Sequence, residues 1–403
     1  MNLREKIAAP SSPCTLTARW IVPIDRPPLP HGTATIADDR ILAVEPHGRV
    51  KADVDLGNRA VLPGFVNAHT HLDLTGLRGR LAPGPDFVAW LRGVVKYRRS
   101  RTPEEVHADI RAGIAESLAH GTTLIGDISA SGASWAALND SRLRAVVFHE
   151  LLGLPSDRAR EALRQARAWL QEHPPTPTCR PGLSPHAPYS VSKDLLTAVM
   201  SEARSQDVPL AIHVAETRLE LELLRHHRGP LVEFLSELGV WCPEALVASE
   251  AEVVRGGGLL VHGNYLSPDD LPPGQSLVYC PRTHAAFGHE PYPLTAFLAA
   301  GARVALGTDS LASNPDLSVL EEARTVRRAF PEISPHDILR MATLAGAEAL
   351  GWSSVTGSLT PGKVADMVVI ALGDETGDPC EQVLTGTERA EPALRLPTKT
   401  AKR

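Results

Sequence analysis

Two histidines one residue apart, His69 and His71 in the run Pro63-Gly64-Phe65-Val66-Asn67-Ala68-His69-Thr70-His71-Leu72-Asp73, carry the first chemical signal in this chain. Successive side chains of a strand point to opposite faces, so residues two apart share a face and can offer two imidazoles to one divalent ion. A lone His-x-His among 16 histidines is also ordinary surface sequence. Four further segments tip the reading toward a metal site: His213-Val214-Ala215-Glu216, Val261-His262-Gly263, Ser184-Pro185-His186-Ala187-Pro188-Tyr189 and Gly307-Thr308-Asp309-Ser310. Each follows a short apolar, strand-like run.

These runs recur along the chain. Strand patterns fall at residues 61–67, 122–127, 145–149, 181–184, 209–213, 258–261, 276–279 and 303–306. Helical periodicity lies between most of them: over 103–118, with Thr102 as cap and a proline in the first turn, and over 158–172, 193–206 and 219–238. Eight strands alternating with helices predict a (β/α)₈ barrel of the α/β class, whose active sites lie at the C-terminal strand ends, where these histidines and acids fall. Short β-like pieces punctuated by proline and glycine fill residues 15–61, and another strand signal covers 365–370, so the two chain ends can share one small sheet. The polar, proline-bearing residues after Leu372 read as a loosely ordered tail.

Composition narrows the partners. A net charge of −6 and a pI near 6.2 give no electrostatic footprint for nucleic acid or an anionic membrane, which leaves small molecules as the expected ligands. No apolar run approaches a membrane span, and the amino terminus lacks the apolar core of a signal peptide. The 5 cysteines are odd in number and lack zinc-ribbon or Cys-x-x-Cys spacing, so a cytoplasmic enzyme is expected, with Cys280 as the one cysteine placed to line a pocket. Oligomeric state is open, a homodimer being compatible.

With His69, His71, His213, His262 and Asp309 at the ends of successive strands, the chain resembles the amidohydrolase superfamily, and within it the chlorohydrolase and nucleoside-deaminase branch, over residues 15–370. The resemblance implies a metal-bearing (β/α)₈ TIM barrel over 63–354 and a small β-sandwich built from 1–62 and 355–403. It implies His69, His71, His213 and Asp309 as ligands. Three imidazoles and a carboxylate suit zinc in preference to iron and leave room for a reactive water, although Asp309 as a helix cap and His213 as a hydrogen-bonded core residue are the plainer readings. Relatives with two ions commonly bridge them by a carboxylated lysine at the end of the fourth strand. No lysine occurs between Lys96 and Lys193, so one divalent ion is expected.

In a site of this kind the ion acidifies a water for attack on an electrophilic carbon. Glu216, three residues past a ligand, is the candidate for protonating the ring nitrogen, with a helix-start carboxylate as its plainer reading. His262 is expected to orient the water and stabilise the adduct, and Asp309 to carry the water's proton to departing ammonia. His186, near Tyr189, is either a substrate contact or a buried hydrogen-bonded histidine. Trp90 either presents an aromatic surface to the substrate or packs with Phe87 and Leu91 on the barrel.

The segment Cys280-Pro281-Arg282-Thr283-His284 departs from the Cys-Pro-x-Ser-Asn pattern of guanine, S-adenosylhomocysteine and methylthioadenosine deaminases. Together with Asp309-Ser310-Leu311-Ala312-Ser313-Asn314 it is most similar to aminodeoxyfutalosine deaminases of the alternative menaquinone pathway. Such a substrate carries a benzoate, for which Arg78 and Arg282 are candidate clamps; either can instead be a surface charge or an ion-pair partner. The resemblance therefore implies a hydrolytic deaminase of a 6-aminopurine nucleoside. Other adenosine-type deaminases, a chlorohydrolase, a cyclic amide hydrolase and a non-catalytic binding barrel are the alternatives. The last predicts loss of a ligand or proton carrier, whereas His69, His71, His213, Glu216, His262 and Asp309 are all present.

Overall fold

In the computed structural model, which describes residues 13–374 and 376–392, a strand forms at each of the eight expected places, although the first, expected over 61–67, is divided at Gly64 into Arg59–Pro63 of a separate sheet and the barrel strand Phe65–Thr70. The barrel strands are β1 (Phe65–Thr70), β2 (Thr122–Ala130), β3 (Arg144–Leu151), β4 (Cys179–Pro185), β5 (Ala211–Val214), β6 (Leu259–His262), β7 (Ser276–Tyr279) and β8 (Arg303–Leu306). The loosely ordered tail expected after Leu372 is instead structured over much of its described length, with a helix at Pro379–Thr385 that buries Cys380, Val383 and Leu384 and a strand at Glu391–Pro392; residues 393–403 lie outside the described residues. Two four-stranded sheets run β4-β3-β2-β1 and β5-β6-β7-β8, with parallel pairing of β3 with β4 and through the second sheet. Parallel bridges between Leu183 and Leu210 and between Thr70 and Asp309 join the sheets at both seams, closing an eight-stranded barrel. Strands such as β1, β5 and β6 are buried at every residue, the pattern of a parallel sheet covered on both faces.

Local chemistry sets where the elements stop. Ser192 accepts a hydrogen bond from the Leu195 amide and starts the helix Lys193–Gln206, which has the bounds read from the sequence. The single helix expected over 219–238 is instead two, Arg218–His226 and Pro230–Glu237. His227 turns left-handed at φ 51° and Gly229 reaches φ 101°, and Pro230 has no N–H with which to continue the first helix. Gly307 follows β8 where a Cβ would stand 2.9 Å from that of His69 and 2.8 Å from Val278 Cγ1, so only glycine lets β8 lie this close to β1.

The chain divides into two compact units, each described on its own. One comprises residues 68–115 and 125–317 and holds every site residue discussed below; the other comprises the described parts of 1–67, 116–124 and 318–403. In the latter, one sheet is built from both chain ends: Trp20–Ile21, Leu29–Pro30 and Arg59–Pro63 with Met367–Ala371 and Glu391–Pro392. A second sheet uses Cys14–Thr17, Thr33–Ala37, Arg40–Glu45 and Val54–Asp55. Leu16, Ile21, Ile36, Val61, Leu359, Met367 and Val369 belong to its apolar core. Among the described residues, no helix is long and apolar enough to cross a membrane.

Candidate active site

The C-terminal ends of β1, β5, β6 and β8 bring His69, His71, His213, His262 and Asp309 into one buried cluster. His69 Nε2 lies 3.4 Å and His71 Nε2 3.7 Å from Asp309 Oδ1, and the Nε2 atoms of His71 and His213 are 3.3 Å apart. One donor atom each from His69, His71 and His213, and likewise from His69, His262 and Asp309, fall within 4.8 Å of one another. The backbone holds this arrangement. The Asp309 and Thr308 amides each donate to the His69 carbonyl at 3.1 Å, and Thr70 Oγ1 donates to the Asp309 carbonyl at 2.7 Å. His262 and Asp309 both adopt left-handed conformations, φ 67° and 54°, which non-glycine residues seldom take and which persist only where the surroundings enforce them. For His262 part of that enforcement is Tyr292, whose hydroxyl donates to the His262 carbonyl at 3.0 Å.

The cluster fits a divalent cation. Both ring nitrogens of His69 and Nδ1 of His71 are buried without a hydrogen-bond partner, which is costly for polar atoms in an interior. His213 Nδ1 donates to the His186 carbonyl at 2.9 Å, leaving its Nε2 lone pair turned toward His71. Burial, then the neighbouring imidazoles, holds His71 and His213 well below the ordinary histidine range. Burial also takes His262 down to about 3, against the pull of Asp309. Burial alone would raise the Asp309 carboxyl, but the facing His69, His262 and His71 hold it below the carboxylate range. Ligation requires imidazole lone pairs beside a carboxylate, and His69, His71, His213 and Asp309 are the residues that would hold an ion of the zinc type.

Beside the cluster is a cleft whose empty volume, counted out to open solvent, is about 420 Å³. Glu216, His262, His186, Tyr189 and Ser310 line it, with Leu74, Phe87, Trp90, Leu91 and Val94 as the apolar part. Glu216 Oε1 stands 3.6 Å from His262 Nε2. Burial, then Asp309 and Glu220, pushes the Glu216 carboxyl well above its usual range. Two groups hold it: Glu220 accepts from the Ala215 and Glu216 amides at 2.8 and 3.3 Å, and Asn264 Nδ2 donates to the Glu216 carbonyl at 2.9 Å.

The two readings of His186 turn out to be compatible, since it lines the cavity while Nδ1 pairs with Ser190 Oγ at 2.8 Å. The same holds for Trp90: it lines the cavity, packs against the cluster of Leu74, Leu77, Val94 and Tyr97, and donates from Nε1 to the Ala312 carbonyl at 3.0 Å. Neither proposed arginine clamp is in the wall. Arg282 donates to the Asp316 carboxylate at 2.8 Å and to its carbonyl at 3.1 Å, the ion-pair alternative, and Arg78 is exposed on the segment after Leu77. Cys280 is buried at the start of the helix Pro281–Phe287, away from the cavity lining.

Sequence reasoning missed three lining or supporting residues. Arg98, in the helix Phe87–Ser100, donates to Asp73 Oδ2 at 2.9 Å and to Glu150 Oε2 at 2.8 Å. A signal for Glu150 was present: it directly follows the run 145–149, on the rim where barrel enzymes place functional groups. Two indirect supports come from the divergent segment. Thr283 Oγ1 meets Ser313 Oγ at 3.0 Å, and Ser313 donates to Asp309 Oδ2 at 2.8 Å. His284 Nδ1 meets Asn264 Oδ1 at 3.1 Å, and Asn264 in turn holds Glu216.

Comparison with known proteins agrees with this geometry. Residues 60–396 match the amidohydrolase family. A 5-methylthioadenosine/S-adenosylhomocysteine deaminase of Nitratidesulfovibrio vulgaris is 32% identical over 367 residues, covering 85% of this chain and 79% of that protein. The structure of an adenosine deaminase from Xanthomonas campestris with bound zinc superposes with a TM-score of 0.78 at 25% identity, over 96% of this chain and 92% of that one. Helicobacter pylori aminofutalosine deaminase shares the fold, with a TM-score of 0.80 at 23% identity, over 94% of this chain and 98% of that one.

Proposed function

Since the chain belongs to the amidohydrolase family, we propose that it hydrolytically deaminates a 6-aminopurine nucleoside and releases ammonia. The observation that carries this reading is the meeting of Glu216, His262 and Asp309 at one cavity wall, with Glu216 Oε1 3.6 Å from His262 Nε2, burial raising the Glu216 carboxyl and, against burial, the facing imidazoles lowering that of Asp309. Adding water across an aromatic amidine needs a donor for the ring nitrogen and an acceptor for the water's proton, and these groups are one of each. A divalent ion held by His69, His71, His213 and Asp309 would supply the Lewis acidity that makes water nucleophilic near neutral pH. Glu216 gives its proton to the ring nitrogen as the attacked carbon becomes tetrahedral. His262 hydrogen-bonds the oxygen being added and steadies the charge that develops there. Asp309 accepts the water's proton and delivers it to the amino group, which leaves as ammonia, and the added hydroxyl returns its remaining proton to Glu216 as the carbonyl forms.

The wall also bears on the substrate's far end. Among its described residues the cation is Arg98, already committed to Asp73 and Glu150, so a substrate carboxylate gains little inside the cavity. Neutral 5′ ends, as in adenosine, 5′-deoxyadenosine and 5′-methylthioadenosine, are therefore favoured over S-adenosylhomocysteine and over aminodeoxyfutalosine, the substrate a menaquinone role would require. Ammonia release by the metal-loaded protein on these five compounds tests the reading. Turnover of the neutral nucleosides with the highest kcat/KM supports it. Highest kcat/KM on either carboxylate-bearing compound refutes the neutral-end preference, and turnover of none refutes the deaminase itself.

A further inference from the structure

We propose that Glu150, held by an Arg98 that Asp73 anchors, is a specificity-determining residue whose unpaired oxygen accepts a hydrogen bond from a hydroxyl of the substrate's sugar. The inference rests on the nucleoside reading above and adds a second recognition point to the same cavity.

Glu150 lies near the C-terminal end of β3 with its side chain 3% exposed. Its two oxygens differ. Oε2 accepts from Arg98 Nη1 at 2.8 Å, whereas Oε1 is buried with no hydrogen-bond partner. An ionised carboxylate can accept several hydrogen bonds, and a buried oxygen left with none forfeits the bonds it would make to water. The carboxylate is not at liberty to swing Oε1 elsewhere. Arg98 is anchored from the other side by Asp73, at 2.9 Å from Nε and 3.4 Å from Nη2, so turning Glu150 would break a charge-assisted bond to a fixed guanidinium. Glu150 and Arg98 both line the cavity. A donor carried by the ligand is thus the partner this oxygen lacks.

Charge and chemistry say which donor. In this part of the wall Glu150 lies beside an Arg98 guanidinium that is already paired from behind by Asp73, which favours a neutral donor and disfavours a substrate carboxylate. A 6-aminopurine nucleoside offers two kinds of neutral donor, the exocyclic amine and the sugar hydroxyls. The amine must lie at Glu216 and Asp309, where the carbon–nitrogen bond breaks. The hydroxyls are then the donors left for Glu150.

The test pairs ligands that differ only at the sugar. Metal-loaded full-length protein would be titrated calorimetrically with inosine and with 2′,3′-dideoxyinosine, products that do not turn over, and kcat/KM would be compared for adenosine and 2′,3′-dideoxyadenosine. The wild type should favour the hydroxylated member of each pair by about 10- to 100-fold, the scale of a hydrogen bond to a charged group. Glu150→Gln keeps an amide oxygen for Arg98 but loses the charge, and should bring the preference to within about 2-fold. Should that variant not fold, Glu150→Asp, which withdraws the carboxylate from the cavity by one methylene, is expected to do the same. Deamination of both nucleosides without sugar preference, or an equal preference in wild type and variants, overturns this inference and leaves the deaminase standing. Failure of the wild type to bind or deaminate any nucleoside overturns both.

Discussion

Glu220→Gln separates stability from catalysis in a way the structure makes quantitative. Glu220 is fully buried and accepts from the Ala215 and Glu216 amides, the stretch that sets the direction of the proton-donating Glu216. Burial pushes its carboxyl from an ordinary 4.5 up to about 8; the two amides oppose the shift and Glu250 adds to it. A raised folded-state pKa means that the folded chain holds the proton more tightly than the unfolded one. The associated stability is fully present below pH 4.5 and is lost as pH rises through about 8. At roughly 1.4 kcal/mol per unit, this window corresponds to about 5 kcal/mol. Glutamine does not titrate and keeps one acceptor, but its NH₂ would oppose one of the two amides, at a cost of about 1–3 kcal/mol. The variant should therefore be less stable than wild type by about 1–3 kcal/mol at pH 5 and more stable by about 2–4 kcal/mol at pH 9. Urea unfolding of both proteins, matched for metal content, reads the crossover. A stability difference that stays constant between these pH values would refute the reasoning.

Three further outcomes follow from the same site. Glu216→Gln should retain metal and lose about 10²-fold or more in kcat, the scale for removing a positioned proton donor, whereas near-normal turnover would assign the proton to another group. Elemental analysis should find about one divalent ion per chain, falling sharply in His213→Ala and Asp309→Ala because each removes one of four ligands; unchanged content in both variants would contradict the ligand set. His284→Phe removes the group facing Asn264 Oδ1 and should lower kcat by about 10-fold with little change in KM. Partial recovery in His284→Asn, whose amide can donate to Asn264, would separate positioning of Glu216 from simple loss of fold.

The parts of this protein that were legible in the sequence are those in which one physical rule acts locally. Period-2 geometry puts His69 and His71 on one face, and apolar runs mark all eight barrel strands because both faces of each are covered. The helix break near residue 229 was also written locally, in Gly229-Pro230, but the apolar periodicity on either side hid it. Long-range pairing was not legible. Arg98 sits in an amphipathic helix with basic neighbours and reads as a surface charge until Asp73 and Glu150, 25 and 52 residues away, converge on it. Arg282 erred in the opposite direction: an arginine beside a motif suggested a substrate clamp, and Asp316, 34 residues on, takes its guanidinium.

That same arginine belongs to a segment whose departure from the related motifs suggested a change of substrate, and the contacts of its neighbours point to another consequence. Thr283 leads through Ser313 to the Asp309 carboxylate, and His284 leads through Asn264 to the Glu216 carbonyl. Asn264 Nδ2 is spent on Glu216, so its Oδ1 must accept, and His284 must therefore carry its proton on Nδ1. Burial lowers the pKa of His284, and a hydrogen bond with the Glu290 backbone opposes that shift. One short helix after β7 thus reaches both carboxyl groups to which the proposed mechanism assigns the protons, Asp309 after β8 and Glu216 after β5. Substitutions at Thr283 and His284 should accordingly act on turnover first, whereas the proposal above assigns substrate choice to Glu150, which lines the cavity beside Arg98.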